Sequence, residues 1–138
     1  MNRFIILCFA STFAFAQPEK ARREILIAQD VRDSRALSTF LSHKNPDVRS
    51  FAAFACGSVQ DTLHAHLLVN LLSDKDYHVR TASAFALGQM NSVIDSTRRA
   101  SLSSALTKRL AIEQSRHVAL RIVEALGKVG DEMSLNVL

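Results

Sequence analysis

The sequence predicts an all-α fold in which short helices form pairs and the pairs stack in a row. Three observations support this prediction. Alanine and leucine are abundant while β-branched residues are few, apolar residues recur at helical spacing, and one helical pattern occurs three times along the chain. The apolar fraction of 48% also exceeds that of disordered chains, and 138 residues suit one small domain.

Three segments of the chain share a pattern that aligns on a valine and a glycine. In each segment the glycine follows the valine by nine residues, which is the self-similarity expected of a repeat protein. The segments are 45–57, 76–88 and 115–127, and the aligned pairs are Val48 with Gly57, Val79 with Gly88, and Val118 with Gly127.

The residues around these anchors predict where each helix begins and ends. Each segment opens with a good N-cap, Asn45, Asp76 or Ser115, whose side chain accepts a backbone N–H of the first turn. Pro46 suits the first helical position, where its missing N–H costs nothing. The three glycines are expected to end their helices, because glycine tolerates a positive φ.

A second amphipathic helix precedes each of these segments. In the middle unit its apolar stripe runs from Leu63 to Leu72 at the spacing of one helix face. An eighth helix is expected to begin near Glu132, after the cap Asp131. The other predicted helices are 19–30, 35–43, 46–56, 62–73, 77–87, 97–113 and 116–127.

The first 16 residues have the pattern of a removable signal peptide. Arg3 precedes an apolar run over 4–13, and the small-x-small motif at 14–16 stands just before Gln17. The run is shorter than the roughly 20 residues that span a bilayer, which disfavours a membrane anchor. We therefore expect an exported protein, periplasmic or secreted, with no stable membrane anchor after cleavage behind residue 16.

The helix pairs, with Asp74-x-Asp76-x-x-Val79-Arg80 and Ala-x-Ala-Leu-Gly signatures, resemble the HEAT repeats in their short bacterial, HEAT-like form. The resemblance implies a right-handed α-α superhelix of about three helical pairs and a truncated fourth. It covers residues 34–138, after a lead-in helix over 17–33. The implied units are 34–60, 61–90, 96–130 and a partial unit over 131–138.

The motifs at 29–30, 58–61 and 86–89 are similar to the N-terminal region of certain exported bacterial HEAT-repeat proteins. Some of those proteins carry a C-terminal cyclophilin-type peptidyl-prolyl isomerase domain. The resemblance implies a non-enzymatic scaffold that binds protein or peptide partners. The alternative is the N-terminal docking region of a longer envelope enzyme of the cyclophilin type. Such arrays serve many unrelated roles, so the fold alone does not choose between them.

Two departures from a regular array stand out. The step from Val48 to Val79 is 31 residues but the step from Val79 to Val118 is 39, so eight residues are inserted around 89–101. Insertions in such arrays usually form loops on one face, often the binding face. The other departure is Leu138, which lies in an apolar helix without a polar cap. We expect a continuing protein or self-association through that helix.

Charged residues recur in register with the aligned valines. If the arginine of one unit reaches the acid of the next, Arg49 pairs with Asp74 and Arg80 with Glu113, in the bidentate geometry that arginine favours. The alternative is solvated surface charge worth roughly 0–1 kcal/mol each. The residues five positions before each aligned valine are His43, Asp74 and Glu113. The residues one position after it are Arg49, Arg80 and Ala119.

No motif in the sequence predicts catalysis, a cofactor or a metal site. A glycine-rich phosphate loop, His-Glu-x-x-His, Cys-x-x-Cys and Gly-x-Ser-x-Gly are all missing. His64 and His66 stand two residues apart, so on a helix they point to different sides. Cys56 lies in an Ala/Phe-rich helix and is expected to be a buried small hydrophobe rather than a reactive thiol.

The resemblance places the second helices on the concave side, where the partner-binding candidates lie. For the two phenylalanines the alternative is simple packing between helices, because aromatics in small domains are mostly core. A basic cluster, Arg98 and Arg99, stands near the insertion. Nucleic acid is disfavoured as a partner, because the net charge of +4 is small and the basic residues are interspersed with acidic ones. The concave candidates are Phe54, His78, Thr81, Phe85, His117 and Glu124.

Overall fold

The structure, a computed structural model, describes residues 18–130 apart from the side chains at positions 92 and 93. Within this range the chain is helical and contains no strand. The expected leader over 1–16 and the partial unit over 131–138 lie outside the described residues. The helices are α1 (18–30), α2 (Ser34–Phe40), α3 (Pro46–Val59), α4 (Ala65–Leu71), α5 (Tyr77–Gln89), a 3-10 turn (Met90–Val93), α6 (Ser96–Leu110) and α7 (Arg116–Val129).

The helices pair as the repeat predicts, α2 with α3, α4 with α5 and α6 with α7. The second helices α3, α5 and α7 pack directly against one another, whereas α4 and α6 barely touch and a groove separates α2 from α4. Because the second helices stand closer together than the first helices, the row of helix pairs curves with the second helices on its inner side. The second helices therefore line the concave side of an all-α repeat superhelix, and the predicted fold class is confirmed.

The helix α1 has the packing of a second helix. Its buried residues lie 28 positions before the residues that are buried in α3, so the two helices present the same face to the core. The helix expected as a separate lead-in thus extends the second-helix row by one member. The matching buried residues are Ala21, Ile25 and Ala28 in α1, and Arg49, Ala53 and Cys56 in α3.

The predicted N-caps are present at all three second helices. The Asn45 side chain accepts the N–H of Asp47 at 2.8 Å, and the Asp76 side chain accepts the N–H of His78 at 2.9 Å. Ser115 caps α7 in the same way. These bonds satisfy N–H groups that the first turn of a helix leaves without a partner.

The first helices are shorter than the amphipathic pattern predicts. They end at Phe40, Leu71 and Leu110, two or three residues before the predicted ends. The residues that follow leave the helix to form tight turns, and two of these turns present their carbonyl groups to arginines described below. Apolar periodicity alone does not reveal where the helix ends, because the residues of the turn continue the apolar spacing of the helix.

The prediction that Gly57 and Gly88 end their helices is wrong. Both lie inside their helices, and no described glycine has a positive φ. The left-handed residue at the end of α3 is instead Gln60, with φ 56°. A Cβ on Gly57 would lie 2.7 Å from the Cα of Ala86, so the glycine is required by the close approach of two helices.

Gly127 differs from the other two glycines. It also lies inside its helix, α7, so its predicted role as a helix stop is wrong as well. A Cβ built on it meets nothing within 4 Å among the described residues, because α7 is the last second helix there.

The eight inserted residues mainly lengthen a helix. The helix α6 has 15 residues where α4 has seven, and the 3-10 turn Met90–Val93 precedes it. The insertion therefore does not form the long binding loop that was expected. None of the helices described in residues 18–130 is long and apolar enough to cross a membrane.

Two further bonds tie the second helices together at their C-terminal ends. The guanidinium of Arg32, which follows α1, donates to the carbonyl of Val59 at 2.8 Å. The side-chain amide of Gln60, which follows α3, donates to the carbonyl of Gln89 at 3.1 Å. Arg32 and Gln60 both have positive φ, and each therefore leaves its helix with its side chain aimed at the next.

Candidate functional site

Arg49 and Asp74 form a bidentate ion pair between the first two units. The Nε and Nη2 atoms of Arg49 donate to the two carboxylate oxygens at 2.8 and 2.9 Å. Its Nη1 donates to the carbonyls of His43 and Lys44, which close the turn after α2. Both side chains of the pair are only 10% exposed, so this pair is not solvated surface charge.

Arg80 and Glu113 repeat the arrangement at the next junction. The two arginine–carboxylate distances are 2.9 and 3.0 Å, and Nη1 of Arg80 donates to the carbonyls of Asp74 and Lys75. Arg109 is a second cation on Glu113, and its Nε and Nη2 donate to one carboxylate oxygen at 3.0 and 2.7 Å. The sequence prediction missed Arg109, although its i,i+4 spacing from Glu113 is the ordinary signal for a helical ion pair.

These contacts shift the pKa values of both acids. Burial alone would raise the pKa of Glu113, but the bonds from Arg80, from the N–H of Ser115 and from Arg109 outweigh it and lower the pKa to about 2. The pKa of Asp74 is lowered in the same way, because the bonds from Arg49 outweigh the effect of burial. Both groups are therefore firmly anionic at neutral pH.

His43 occupies the first position of the acid series. Its Nδ1 accepts the N–H of Asn45 at 3.1 Å, as an oxygen of Asp74 accepts the N–H of Asp76 at 2.9 Å. The imidazole nitrogen thus takes the place of the carboxylate oxygen as the acceptor that closes this turn. His43 lies at the outer end of the series, and α1 before it has Ala21 at the position that matches Arg49.

Phe54 and Phe85 stack on each other across α3 and α5, on the concave side. Their ring centroids are 4.3 Å apart and the rings are inclined by only 5°. Phe54 is nevertheless 49% exposed, and Phe85 is partly buried. The rings therefore pack against each other between neighbouring helices, while Phe54 stays about half exposed.

Two shallow cavities flank the exposed ring of Phe54. One has a volume of about 250 Å³ and reaches Arg22, whose guanidinium lies 5.6 Å from the ring centroid of Phe51. The other has a volume of about 160 Å³ and reaches Thr81 and Arg121. The residues common to both cavities are Ser50, Phe54 and His78.

The sequence prediction missed the two arginines at the ends of this surface. Arg121, like Phe51, lies three residues after its aligned valine, a position that none of the predicted concave candidates occupies. Arg22 was missed because α1 has neither the valine nor the glycine that aligns the other second helices.

The two predicted histidines and Glu124 do not lie together at one site in the structure. His78 lines both concave cavities, and its ring lies against that of Tyr77 with centroids 3.9 Å apart and planes inclined by 33°. His117 is exposed on α7 and lines neither cavity. Glu124 pairs with Arg121 at 2.6 Å and with Lys128, and therefore orients the arginine at the end of the surface.

Arg98 and Arg99 lie apart from the concave surface. Both belong to α6, a first helix, and Arg98 lines a groove between α4 and α6. Its Nε is 3.8 Å from a carboxylate oxygen of Asp95, and Arg99 donates a long 3.4 Å bond to the carbonyl of Asn91. The structure therefore does not bring the basic cluster together with the phenylalanines.

The other chemically capable side chains are held in structural contacts. His64 lies 2.8 Å from the buried carboxylate of Asp61, at the start of α4. Among the described residues, no three His, Cys, Asp or Glu side chains group as metal ligands. Cys56 is fully buried, and burial together with the charge of Asp61 raises the pKa of its thiol to about 12.

Paired helices, junctions built from the same contacts and an open concave surface define the class of helical-repeat scaffold proteins. Comparison with protein families matches residues 34–108 to the HEAT repeats, which is more than half of the chain. The chain therefore belongs to the HEAT-repeat family. No curated protein matches it. HEAT repeats are a non-catalytic fold that generally serves as a scaffold for protein interactions.

Proposed function

We propose that this protein is an exported scaffold that binds a protein or peptide partner on its concave surface, without catalysis by this chain. The observation that carries the proposal is the stacked pair of Phe54 and Phe85, in which Phe54 is about half exposed between two cavities. Exposed aromatic side chains of this kind supply much of the affinity of protein interfaces. Arg22 and Arg121 at the two ends add polar contacts that orient a bound chain.

Truncation of the exposed ring tests the concave surface. The partner is isolated by crosslinking the protein in its native host, then purified and titrated by calorimetry. We expect Phe54→Ala to weaken binding at least tenfold, because about half of the ring is available for contact. Leu63→Ala is the matched control, since Leu63 is 72% exposed on the first-helix side and lies outside both concave cavities. Equal binding by the two variants would reject the concave surface.

The leader over 1–16 supports the exported part of the proposal. The mature protein isolated from its host should begin at Gln17 and have the mass of residues 17–138. An N-terminus at Met1 would contradict export by cleavage. A much larger mass would instead support the alternative, a docking region of a longer envelope enzyme such as a cyclophilin-type peptidyl-prolyl isomerase.

A further inference from the structure

A second groove lies on the opposite side of the molecule, between the first helices α2 and α4. Its volume is about 630 Å³, larger than either cavity on the concave surface. Leu41, Leu67 and Leu71 contribute apolar lining, and Leu41 is almost completely buried. The groove therefore offers an apolar floor of a size that accommodates one or two side chains of a ligand.

Two lysines stand at the same repeat position in this groove, four residues before the aligned valines. Lys44 and Lys75 both line it and both are exposed. Their backbone carbonyls accept bonds from Nη1 of Arg49 at 3.1 Å and of Arg80 at 3.2 Å. The ion pairs between units thus fix the turns from which the two lysines project. The third unit has Gln114 at this position, so the basic pair is confined to this groove.

The charge in the groove is one-sided. Asp74 also lines it, but Arg49 occupies both of its carboxylate oxygens. Within residues 18–130, neither Lys44 nor Lys75 takes part in an ion pair. An apolar floor beside two cations and one neutralised acid is complementary to a ligand that joins an apolar side chain to carboxylates.

We propose that the groove between α2 and α4 binds an acidic, leucine-containing peptide segment of a partner protein. The apolar side chain packs on Leu41, Leu67 and Leu71, and carboxylates on either side meet Lys44 and Lys75. The site is independent of the concave surface and lies on the other side of the helix row. A scaffold with both surfaces holds two different partners at once.

Fluorescence anisotropy with the full chain and three labelled twelve-residue peptides tests the groove. The first peptide alternates leucine and glutamate pairs, the second replaces glutamate with lysine, and the third replaces leucine with serine. We expect the first peptide to bind at least tenfold more tightly than the others. The double variant Lys44→Glu/Lys75→Glu should bind the lysine peptide instead. Lys108→Glu, at an exposed lysine of α6, should behave like the wild type.

Unchanged binding of the acidic peptide by the double variant would overturn the proposal, provided that its helical circular dichroism matches the wild type. Loss of that binding in Phe54→Ala would also overturn it, because the probe would then occupy the concave surface and the proposed function would stand. Vesicles containing anionic phosphatidylglycerol are a further probe. Lysine-dependent binding to these vesicles, without binding of the acidic peptide, would assign the groove to a membrane surface and reject a peptide ligand.

Discussion

Gly57 of α3 lies directly against Ala86 of α5, and this contact sets the distance between the two helices. A Cβ at Gly57 would be 2.7 Å from the Cα of Ala86, and one at Gly88 would be 3.1 Å from the Cα of Ala125. In each pair the glycine lies nine residues after the aligned valine of its own unit. The alanine that it meets lies seven residues after the aligned valine of the following unit. The two junctions therefore use the same two positions of the repeat.

The glycines allow a prediction about stability with an internal control. Gly57→Ala should destabilise the protein by about 1–3 kcal/mol, because the new methyl group meets backbone that cannot move aside cheaply. Gly127→Ala should stabilise it by about 0.5–1 kcal/mol, because alanine is the better helix former and no residue within 18–130 lies within 4 Å of the new Cβ. Urea denaturation measures both changes. A loss of stability in Gly127→Ala would show that this position is covered.

The two arginines of the junctions should not be equally important. Arg49→Met leaves Asp74 without its guanidinium partner, whereas Arg80→Met leaves Glu113 paired with Arg109. Since an unpaired buried charge costs about 3–5 kcal/mol, we expect a loss near that range for Arg49→Met and a smaller loss for Arg80→Met.

Thermal unfolding followed by circular dichroism checks this order of stability. Arg116→Met is the control, because Arg116 is exposed at the start of α7. A melting curve of Arg80→Met that matches the wild type would show that the second ion pair does not hold its junction together. The reverse order of the two variants would contradict the role given to Arg109.

Acid should weaken the second junction. The pKa of Glu113 is lowered from 4.5 to about 2 in the folded protein. A carboxyl group whose pKa is lowered by folding stabilises the folded state at any pH above its pKa in the unfolded chain. This stabilisation is lost as the pH falls from 4.5 toward 2. For this shift the loss is on the order of 3 kcal/mol. Glu113→Gln should be less stable at pH 7 and should lose less between pH 5 and pH 2.5. An equal acid loss in the variant would exclude Glu113 as the cause.

Cys56 should resist alkylation in the folded protein. Its side chain is fully buried and the pKa of its thiol is raised to about 12, so the reactive thiolate is scarce at neutral pH. Peptide mapping after iodoacetamide treatment should find Cys56 unmodified at pH 8 and modified after denaturation in urea. Rapid modification of the native protein would show that α3 opens readily.

The ion pairs between units were predictable from the sequence because register and charge agree. Once the valines are aligned, the arginine of one unit can meet an opposite charge at the junction only by pairing with the acid of the next unit, as Arg49 does with Asp74. The glycines were misread for a physical reason. A glycine near the end of a helix serves equally well as a left-handed cap or as a site of close approach, and only the neighbouring helix decides between them.

The concave surface was predictable in part. The equal register of Phe54 and Phe85 placed them on one face, but the sequence does not show how much of a stacked ring stays exposed. The groove between α2 and α4 was not predicted at all. It exists because the first helices end early and stand apart, and neither feature changes the apolar periodicity from which they were recognised.

The middle unit, residues 61–90, contributes one half of each of the two junctions, and the two halves are complementary. Asp74 receives the arginine of the unit before it, and Arg80 reaches the acid of the unit after it. Ala86 likewise meets the preceding glycine, while Gly88 meets the following alanine. A tandem copy of this segment would find matching neighbours at both ends. The array can therefore lengthen by gene duplication without evolving a new interface, and a wider surface would follow from a single genetic event.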